Sequence, residues 1–291
     1  MGYRTVGEGR SRACEICRSW SRGWAIGRDQ VLWRCEECGH LERDLEHCPA
    51  THRDLAYGGE ATLDRVRLDL TYRLLVRGGV PASVFEIGHG AGHLLRRFLD
   101  DGAQVAGVDP DQLGVDVDPE VARRGRLHRG GVEDLVGEDL GRHDLVYGIH
   151  VVEHVADPAA TFATARALLR PGGTLSLITP AGDSSGLRLH GEHWWMLEDP
   201  THVRFFTARS LARAAHDAGL VDVEVRRPVL DSLSVDVASL ARRRGRPAPG
   251  GVLASRPVLA ASVASVPAVV VARLARPALR PTLQLVAHAP A

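Results

Sequence analysis

Two Cys-x-x-Cys pairs, Cys14-Glu-Ile-Cys17 and Cys35-Glu-Glu-Cys38, follow one another near the start of the chain at the separation expected of a four-cysteine zinc site. Two thiolates three positions apart on a tight turn can reach one tetrahedral ion at about 2.3 Å, and two such turns complete its shell. With no coordination position left open, the metal would be structural. A segment this short buries little core, so zinc binding would account for its folding. Free thiols or a redox pair form the competing reading. Cys48 is left over, and His40 and His47 are set aside as ligands. Gly39, just past the second pair, supplies the backbone freedom of a metal knuckle.

A second cluster lies further on. Glu86-Ile-Gly88-His-Gly90-Ala-Gly92 follows an apolar run and precedes a helical pattern. Glycines let a ligand approach the backbone closely, and a helix N-terminus offers unpaired N–H groups. Asp109 closes the next apolar run after the glycines, where a carboxylate can accept bonds from both hydroxyls of a ribose. A dinucleotide fingerprint has the order Gly-x-Gly-x-x-Gly. Here the order is Gly-x-Gly-x-Gly with an acid in front. A third group, His150-Val-Val-Glu153-His154, offers three ligands or a base. At i, i+3 and i+4 on a helix, these would share one face and hold a divalent ion.

The elements that must position these residues follow from periodicity. Residues 55–75 are expected to be helical, with Leu63, Val66, Leu70 and Leu74 on one face. Gly78, Gly79 and Pro81 end that helix. Strands are predicted at 84–87, 105–108, 144–149 and 174–178, with helices at 91–99 and 158–169. Alternation of this kind implies a doubly wound, mostly parallel sheet of the α/β class, whose ligands bind beyond the carboxyl ends of the strands. A further strand is expected at 221–227 and a closing strand at 282–287. Arg242-Arg-Arg-Gly-Arg246 reads as a solvated, loop-like linker, with contact to phosphates as the lesser reading. The apolar stretch Pro257–Ala272, interrupted by Pro267, is too short for a membrane span and reads as packed core or a homodimer surface. Loose membrane association is the lesser reading for it. The expected division is 1–54 as a zinc-ribbon-like segment, 55–230 as the main domain, and 231–291 as linker, apolar helix and closing strand.

From Glu86 to Leu220 the blocks resemble the class I S-adenosylmethionine-dependent methyltransferases. Glu86 to Gly92 is similar to their first motif, and Gly107-Val-Asp109-Pro to their ribose-binding acid. Gly131-Val132-Glu133-Asp-Leu resembles the loop that flanks adenine. Asp144 to Pro158 resembles the fourth strand with its Glu-His-Val-x-Asp-Pro helix start, and Leu169-Arg-Pro-Gly-Gly173 the turn before the fifth. His193-Trp-Trp and His202-Val-Arg-Phe-Phe206-Thr, with Ala218-Gly-Leu220, match a late block of the bacterial branch. The chain departs from the pattern at His89, where a small residue or Cys is usual, and at Gly131, where an acid often stands.

The resemblance implies a Rossmann-like fold and methyl transfer to a small-molecule or glycan-precursor acceptor, at O, N or C. It places Glu86, Gly88, Gly90, Gly92, Asp109, Val132, Glu133 and His150 around S-adenosylmethionine. In sugar C-methyltransferases, which also carry an N-terminal zinc segment, a Glu-His pair resembles a catalytic one; by that likeness His154 is the candidate base, with Glu153 beside it. A structural role, capping and orienting the helix, is the bland alternative. Trp194, Trp195 and His202 are expected to cover the acceptor pocket, where paired tryptophans could stack on a sugar or an aromatic ring; simple packing between late elements is the equal alternative. Two other functions compete: a nicotinamide-dependent oxidoreductase, and a zinc-ribbon binding module with an inert methyltransferase fold.

Composition narrows the field. The 291 residues include 36 basic and 36 acidic side chains, and every basic one is arginine. Neutrality overall argues against nucleic acid as a partner, and the missing lysine excludes Schiff-base chemistry. The first residues lack the apolar core of a secretory signal, so the expected location is cytoplasmic.

Overall fold

The computed structural model describes residues 11–27, 31–46, 61–110, 114–135, 140–245 and 251–291. Cys48 and His47 lie outside them. Along the chain run β1 (Ser11–Ala13), β2 (Trp20–Ala25), β3 (Val31–Cys35), β4 (Leu41–Arg43), α1 (Ala61–Leu75), β5 (Ser83–Ile87), α2 (His93–Asp100) and β6 (Gln104–Asp109). There follow α3 (Pro119–Arg124), β7 (Arg126–Arg129), β8 (His143–Ile149), α4 (Pro158–Leu168), β9 (Leu169–Pro180), α5 (Ser185–His190) and β10 (Arg204–Phe205). The remainder is α6 (Ala208–Asp217), β11 (Val221–Arg226), α7 (Val235–Arg244), α8 (Arg256–Ala275) and β12 (Thr282–His288).

Contacts divide the chain into two compact units that interleave along the sequence. One comprises Met1–Gly59, Pro180–Ser210 and Arg227–Leu283; the other comprises Glu60–Thr179, Leu211–Arg226 and Gln284–Ala291. These units cut across the three consecutive parts expected from sequence. The reason is sheet pairing. In the first unit, β10 adds antiparallel to β4, with Arg204 opposite Glu42 and Phe205 opposite Leu41, giving the order β1-β2-β3-β4-β10. A strand far downstream thus closes the cysteine-bearing sheet. Behind it Trp194, Phe205, Leu32, Leu41 and Leu197 form a buried cluster.

The second unit holds the seven-stranded sheet β11-β12-β9-β8-β5-β6-β7. The β5–β6, β5–β8, β6–β7 and β8–β9 pairs are parallel and β11–β12 is antiparallel. This is the doubly wound, mostly parallel arrangement expected, with an antiparallel pair at one edge. Fully or nearly buried Leu94, Leu95, Phe98 and Leu99 of α2 pack on Val84, Val105 and Tyr147 of the strands. The i, i+1, i+4, i+5 spacing of those α2 residues produces that face. Helix α1 adds Leu68, Tyr72 and Leu75, while Val66 is exposed. The buried stripe of α1 is thus turned from the one predicted; both have helical spacing, and sequence alone does not choose between them.

Two C-terminal expectations are corrected in the first unit. Arg242, Arg243 and Arg244 form the last turn of α7 rather than a loop, and the Arg242 guanidinium donates to the Trp194 carbonyl. The apolar stretch is a continuous 20-residue helix through Pro267, long and apolar enough to cross a membrane, in which only Ser262 and Arg273 are buried. It is not packed core. A Pro removes one ladder N–H, and the rest of the helix stays regular around it.

Candidate functional site

In the first unit the two knuckles face each other. Residues 15–17 turn back so that the Arg18 N–H donates to the Cys14 carbonyl, and the Gly39 N–H donates to that of Cys35. Arg18 (φ 64°) and Gly39 (φ 71°) both take left-handed backbone, as the reversal demands. Cys14 Sγ lies 3.8 Å from Cys38 Sγ, and Cys17 Sγ 3.4 Å from Cys35 Sγ. All four sulfurs lie within 4.8 Å of one another. The edge of a tetrahedron with bonds of about 2.3 Å is about 3.8 Å, so the spacing is compatible with four ligands of one ion and too long for disulfides. Backbone N–H groups of Ile16 and Cys38 point at Cys14 and Cys35 sulfur, each at 3.4 Å. N–H groups so placed would favour a thiolate over a thiol.

The surroundings hold the cluster in place. Thr207 Oγ1 donates to the Cys38 carbonyl at 2.6 Å, and Arg209 donates to that of Glu37. His40 is fully buried and directs its Nε2 to Glu15 at 2.8 Å, away from the sulfurs. Arg204 of β10 binds the same carboxylate at 2.8 Å. Burial alone would raise the Glu15 carboxyl, but the bonds from His40 and Arg204 outweigh it and hold it at about 2. A cavity of about 560 Å³ opens here, lined by Arg12, Glu15, Trp33, Glu42 and Arg204. Among its charged residues, Arg12 pairs with Glu42 and Arg204 with Glu15.

The glycine loop lies in the second unit. Gly88 (φ 72°), Gly90 (φ 49°) and Gly92 (φ 73°) are all left-handed. A Cβ on Gly88 would come within 2.6 Å of the Val151 side chain, whereas one on Gly90 would meet nothing within 4 Å. The loop is thus tight below Gly88 and open at Gly90. The Gly88 N–H donates to the Val108 carbonyl at 2.8 Å, and the Gly90 N–H to Asp109 Oδ2 at 2.9 Å. Parallel pairing of β5 with β6 in register Ile87–Val108 brings the two strand ends together. His89 is no obstacle: its Nδ1 bonds the Gly90 carbonyl and its ring lies over Gly107, which has no side chain to meet it. Val132 is buried in the short 3-10 turn Val132–Asp134 after β7, with Glu133 half-exposed beside it.

Glu86 stands apart from its expected role. Its carboxyl is buried within the sheet, accepting from Tyr147 Oη at 3.1 Å and from the Leu95 backbone N–H. Burial pushes it well above the usual carboxylate range, with the Asp109 charge adding to the effect. It braces the strand and α2 beneath the loop. Tyr147 was not foreseen, though a hydroxyl in an otherwise apolar strand is the signal that could have found it.

At the carboxyl end of β8, residues 150–154 form a turn, and α4 starts only at Pro158 behind the Asp157 cap. The shared helix face imagined for His150, Glu153 and His154 is therefore corrected: Pro158 favours the first turn of α4, and the Asp157 side chain caps it. His150 is left-handed (φ 55°), an uncommon state for a residue with a side chain. Its Nδ1 lies 3.2 Å from Glu153 Oε1, and Thr179 Oγ1 donates to Glu153 Oε2 at 3.0 Å. Glu153 is fully buried and serves as the joint between the ends of β8 and β9; His154 is exposed. Thr179 is the second residue that sequence reading missed.

Among the aromatic residues expected over an acceptor, Trp194 is fully buried against Phe205, with ring centroids 5.3 Å apart. It is core of the first unit and no stacking platform. Trp195 is partly buried, its indole N–H donating to Glu198 at 2.8 Å, and His202 bonds the Met196 carbonyl at 2.7 Å.

Residues 60–225 match the family model described as a methyltransferase domain. The ubiquinone biosynthesis O-methyltransferase of Xanthomonas campestris is 35% identical over 128 residues, 40% of this chain and 50% of that one. The enzyme of the same name from Aromatoleum aromaticum is 30% identical over 152 residues, 49% of this chain and 65% of its own. The chain thus spans about half to two thirds of the curated relatives it matches. Among solved structures, phosphoethanolamine N-methyltransferase 2 of Haemonchus contortus with S-adenosyl-L-methionine superposes with a TM-score of 0.55 at 17% identity, over 82% of this chain and 54% of that one. A SAM-dependent methyltransferase from Archaeoglobus fulgidus gives 0.50 at 17%, over 79% and 95%. These structures share the fold.

The buried Glu86 makes a pH-dependent prediction. A carboxyl raised in the folded state keeps its proton there, so its contribution is fully present below the unfolded value and is lost as pH rises from that value through the folded one. Glu86→Gln accepts the same Tyr147 bond without that loss. Thermal melts are expected to place Glu86→Gln roughly 2–4 °C above the parent at pH 8, with the gap closing near pH 4. An equal gap at both would show that Glu86 ionises freely.

Proposed function

This chain belongs to the class I S-adenosylmethionine-dependent methyltransferases, and we propose that it moves a methyl group from that cofactor to a small-molecule or glycan-precursor acceptor. The observation that carries the reading is the Gly90 N–H bond to Asp109. It joins an open glycine turn to a half-buried carboxylate at two adjacent strand ends, where an α/β sheet binds its ligand. Asp109 would take the ribose hydroxyls, Gly88 and Gly90 would admit the backbone-hugging part of the nucleoside, and Val132 with Glu133 would flank the base. When bound, the cofactor supplies an electrophilic methyl on a sulfonium.

The residues then have little charge to stabilise, because charge is lost in the displacement. Their work is alignment, worth up to about 7–11 kcal/mol. Glu153 holds His150 and the end of β9 in place, and His154, exposed on the same turn, is the group able to take a proton from an acceptor. The relatives named for ubiquinone biosynthesis favour a hydroxyl as that acceptor. The four cysteines would hold a structural zinc; the S4 spacing and the N–H groups aimed at sulfur support it. The nicotinamide reading lacks support, since the glycine order and the relatives both favour the sulfonium nucleoside.

Three measurements test this. Titration calorimetry with S-adenosylhomocysteine should show Asp109→Ala binding at least tenfold more weakly, about 1.4 kcal/mol, in a chain that still folds. Unchanged affinity would remove the reading. With an acceptor in hand, His154→Ala is expected to lower turnover about a hundredfold with cofactor affinity retained; equal turnover leaves His154 structural. Elemental analysis should find one zinc per chain, and Cys35→Ser or prolonged chelation should release it with a large loss of thermal stability. A chain equally stable and metal-free would make the cysteines mere core.

A further inference from the structure

The exposed side of α8 has a regular apolar stripe. Ala260, Val263, Pro267, Val271 and Leu274 recur at three- and four-residue spacing, and all are exposed, Val271 by 67% and Leu274 by 60%. The opposite side carries the two buried residues, Ser262 and Arg273. Exposed Leu240 of α7, which packs along α8, adds to the apolar surface. Arginines stand at the ends of the two helices: Arg256 opens α8, Arg276 follows its end, and Arg243 and Arg244 close α7, all exposed. The whole-chain neutrality hides a segregation, for eight arginines and no aspartate or glutamate follow Asp236.

We propose that this face docks on the surface of a bilayer bearing anionic lipids, with α8 lying in the plane of the interface. An apolar helix face bordered by arginine buries its side chains at the headgroup boundary while the guanidiniums meet phosphate. Spanning is disfavoured by Arg273. Its guanidinium donates to the carbonyls of Val229 at 3.1 Å, Asp231 at 2.7 Å and Ser232 at 2.9 Å, and Arg280 in turn donates to the Arg273 and Arg227 carbonyls. Crossing the membrane would strip these bonds and carry the charge into hydrocarbon. A second copy of the chain is a poorer occupant, because face-to-face pairing brings two sets of helix-end arginines together, and no aspartate or glutamate follows Asp236 in the sequence to offset them. The apolar stripe likewise has no use on a nucleic acid.

The test needs neither cofactor nor acceptor, so it stands apart from the catalytic reading. The full chain is floated with vesicles of phosphatidylcholine containing about one third phosphatidylglycerol, and with phosphatidylcholine alone. Binding is expected on the anionic vesicles, at least tenfold weaker on the neutral ones, and reduced by salt. Val271→Glu with Leu274→Glu should abolish it, and Arg243→Glu with Arg244→Glu, on the exposed end of α7, should weaken it at least tenfold. Circular dichroism of each variant confirms folding, and the α7 pair decides the matter if the α8 pair misfolds. No flotation on anionic vesicles, or equal flotation on both, overturns the proposal. So does light scattering that finds a dimer which Val271→Glu dissociates.

Discussion

The candidate site depends on one backbone amide and one carboxylate. The Gly90 N–H and Asp109 Oδ2 are 2.9 Å apart because β5 and β6 pair in parallel and end together. Parallel pairing requires the chain to leave one strand, cross over as a helix and return. The turn that starts the crossover is therefore crowded from below and open above. Gly88 answers the crowding, since Val151 leaves no room for a side chain, and Gly90 keeps the upper surface clear. Leu94, Leu95 and Phe98 fix the angle at which α2 departs. Exchanging one of these glycines would disturb strand pairing and ligand access together.

Around this frame, buried carboxylates recur as joints, each satisfied in a different way. Glu86 is neutralised by burial and accepts from Tyr147; Glu153 is held between His150 and Thr179; Glu15 stays ionised between His40 and Arg204. An isolated buried charge would cost several kcal/mol, so each of these groups is a constraint on its neighbours' placement. Such networks fix geometry more than they add stability. In the first unit this constraint is the reason the cysteine cluster belongs with β10: Glu15, next to Cys14 in the chain, is bonded by Arg204.

Arginine is the chain's only permanently charged basic side chain, and its roles divide by burial. Arg273 and Arg204 are nearly inaccessible, their forks bonded to carbonyls or a carboxylate. The planar fork suits such sites better than an ammonium would. Burial draws the Arg273 guanidinium below its usual range without bringing it near neutrality. Arg243, Arg244, Arg256 and Arg276 are on the outside. One residue type thus pins α8 at its buried side and borders its exposed one.

What the sequence determined by itself was everything governed by short-range spacing. Paired cysteines three apart, glycines two apart, and apolar runs alternating with helical stripes each state a local geometry that needs no distant partner. The parallel sheet, the turns of the two Cys-x-x-Cys pairs, β11 and β12 were legible for that reason. Tertiary structure decided what depends on which surface a segment meets. It chose Leu68 and Tyr72 over Val66 as the packed side of α1, placed Trp194 in a core, and left α8 outside one. It also attached Arg204 and Phe205 to the cysteine-bearing sheet, a pairing between distant parts of the chain that no local pattern encodes. Hydrophobicity says that a side chain gains by leaving water; only the folded chain says where there is room for it.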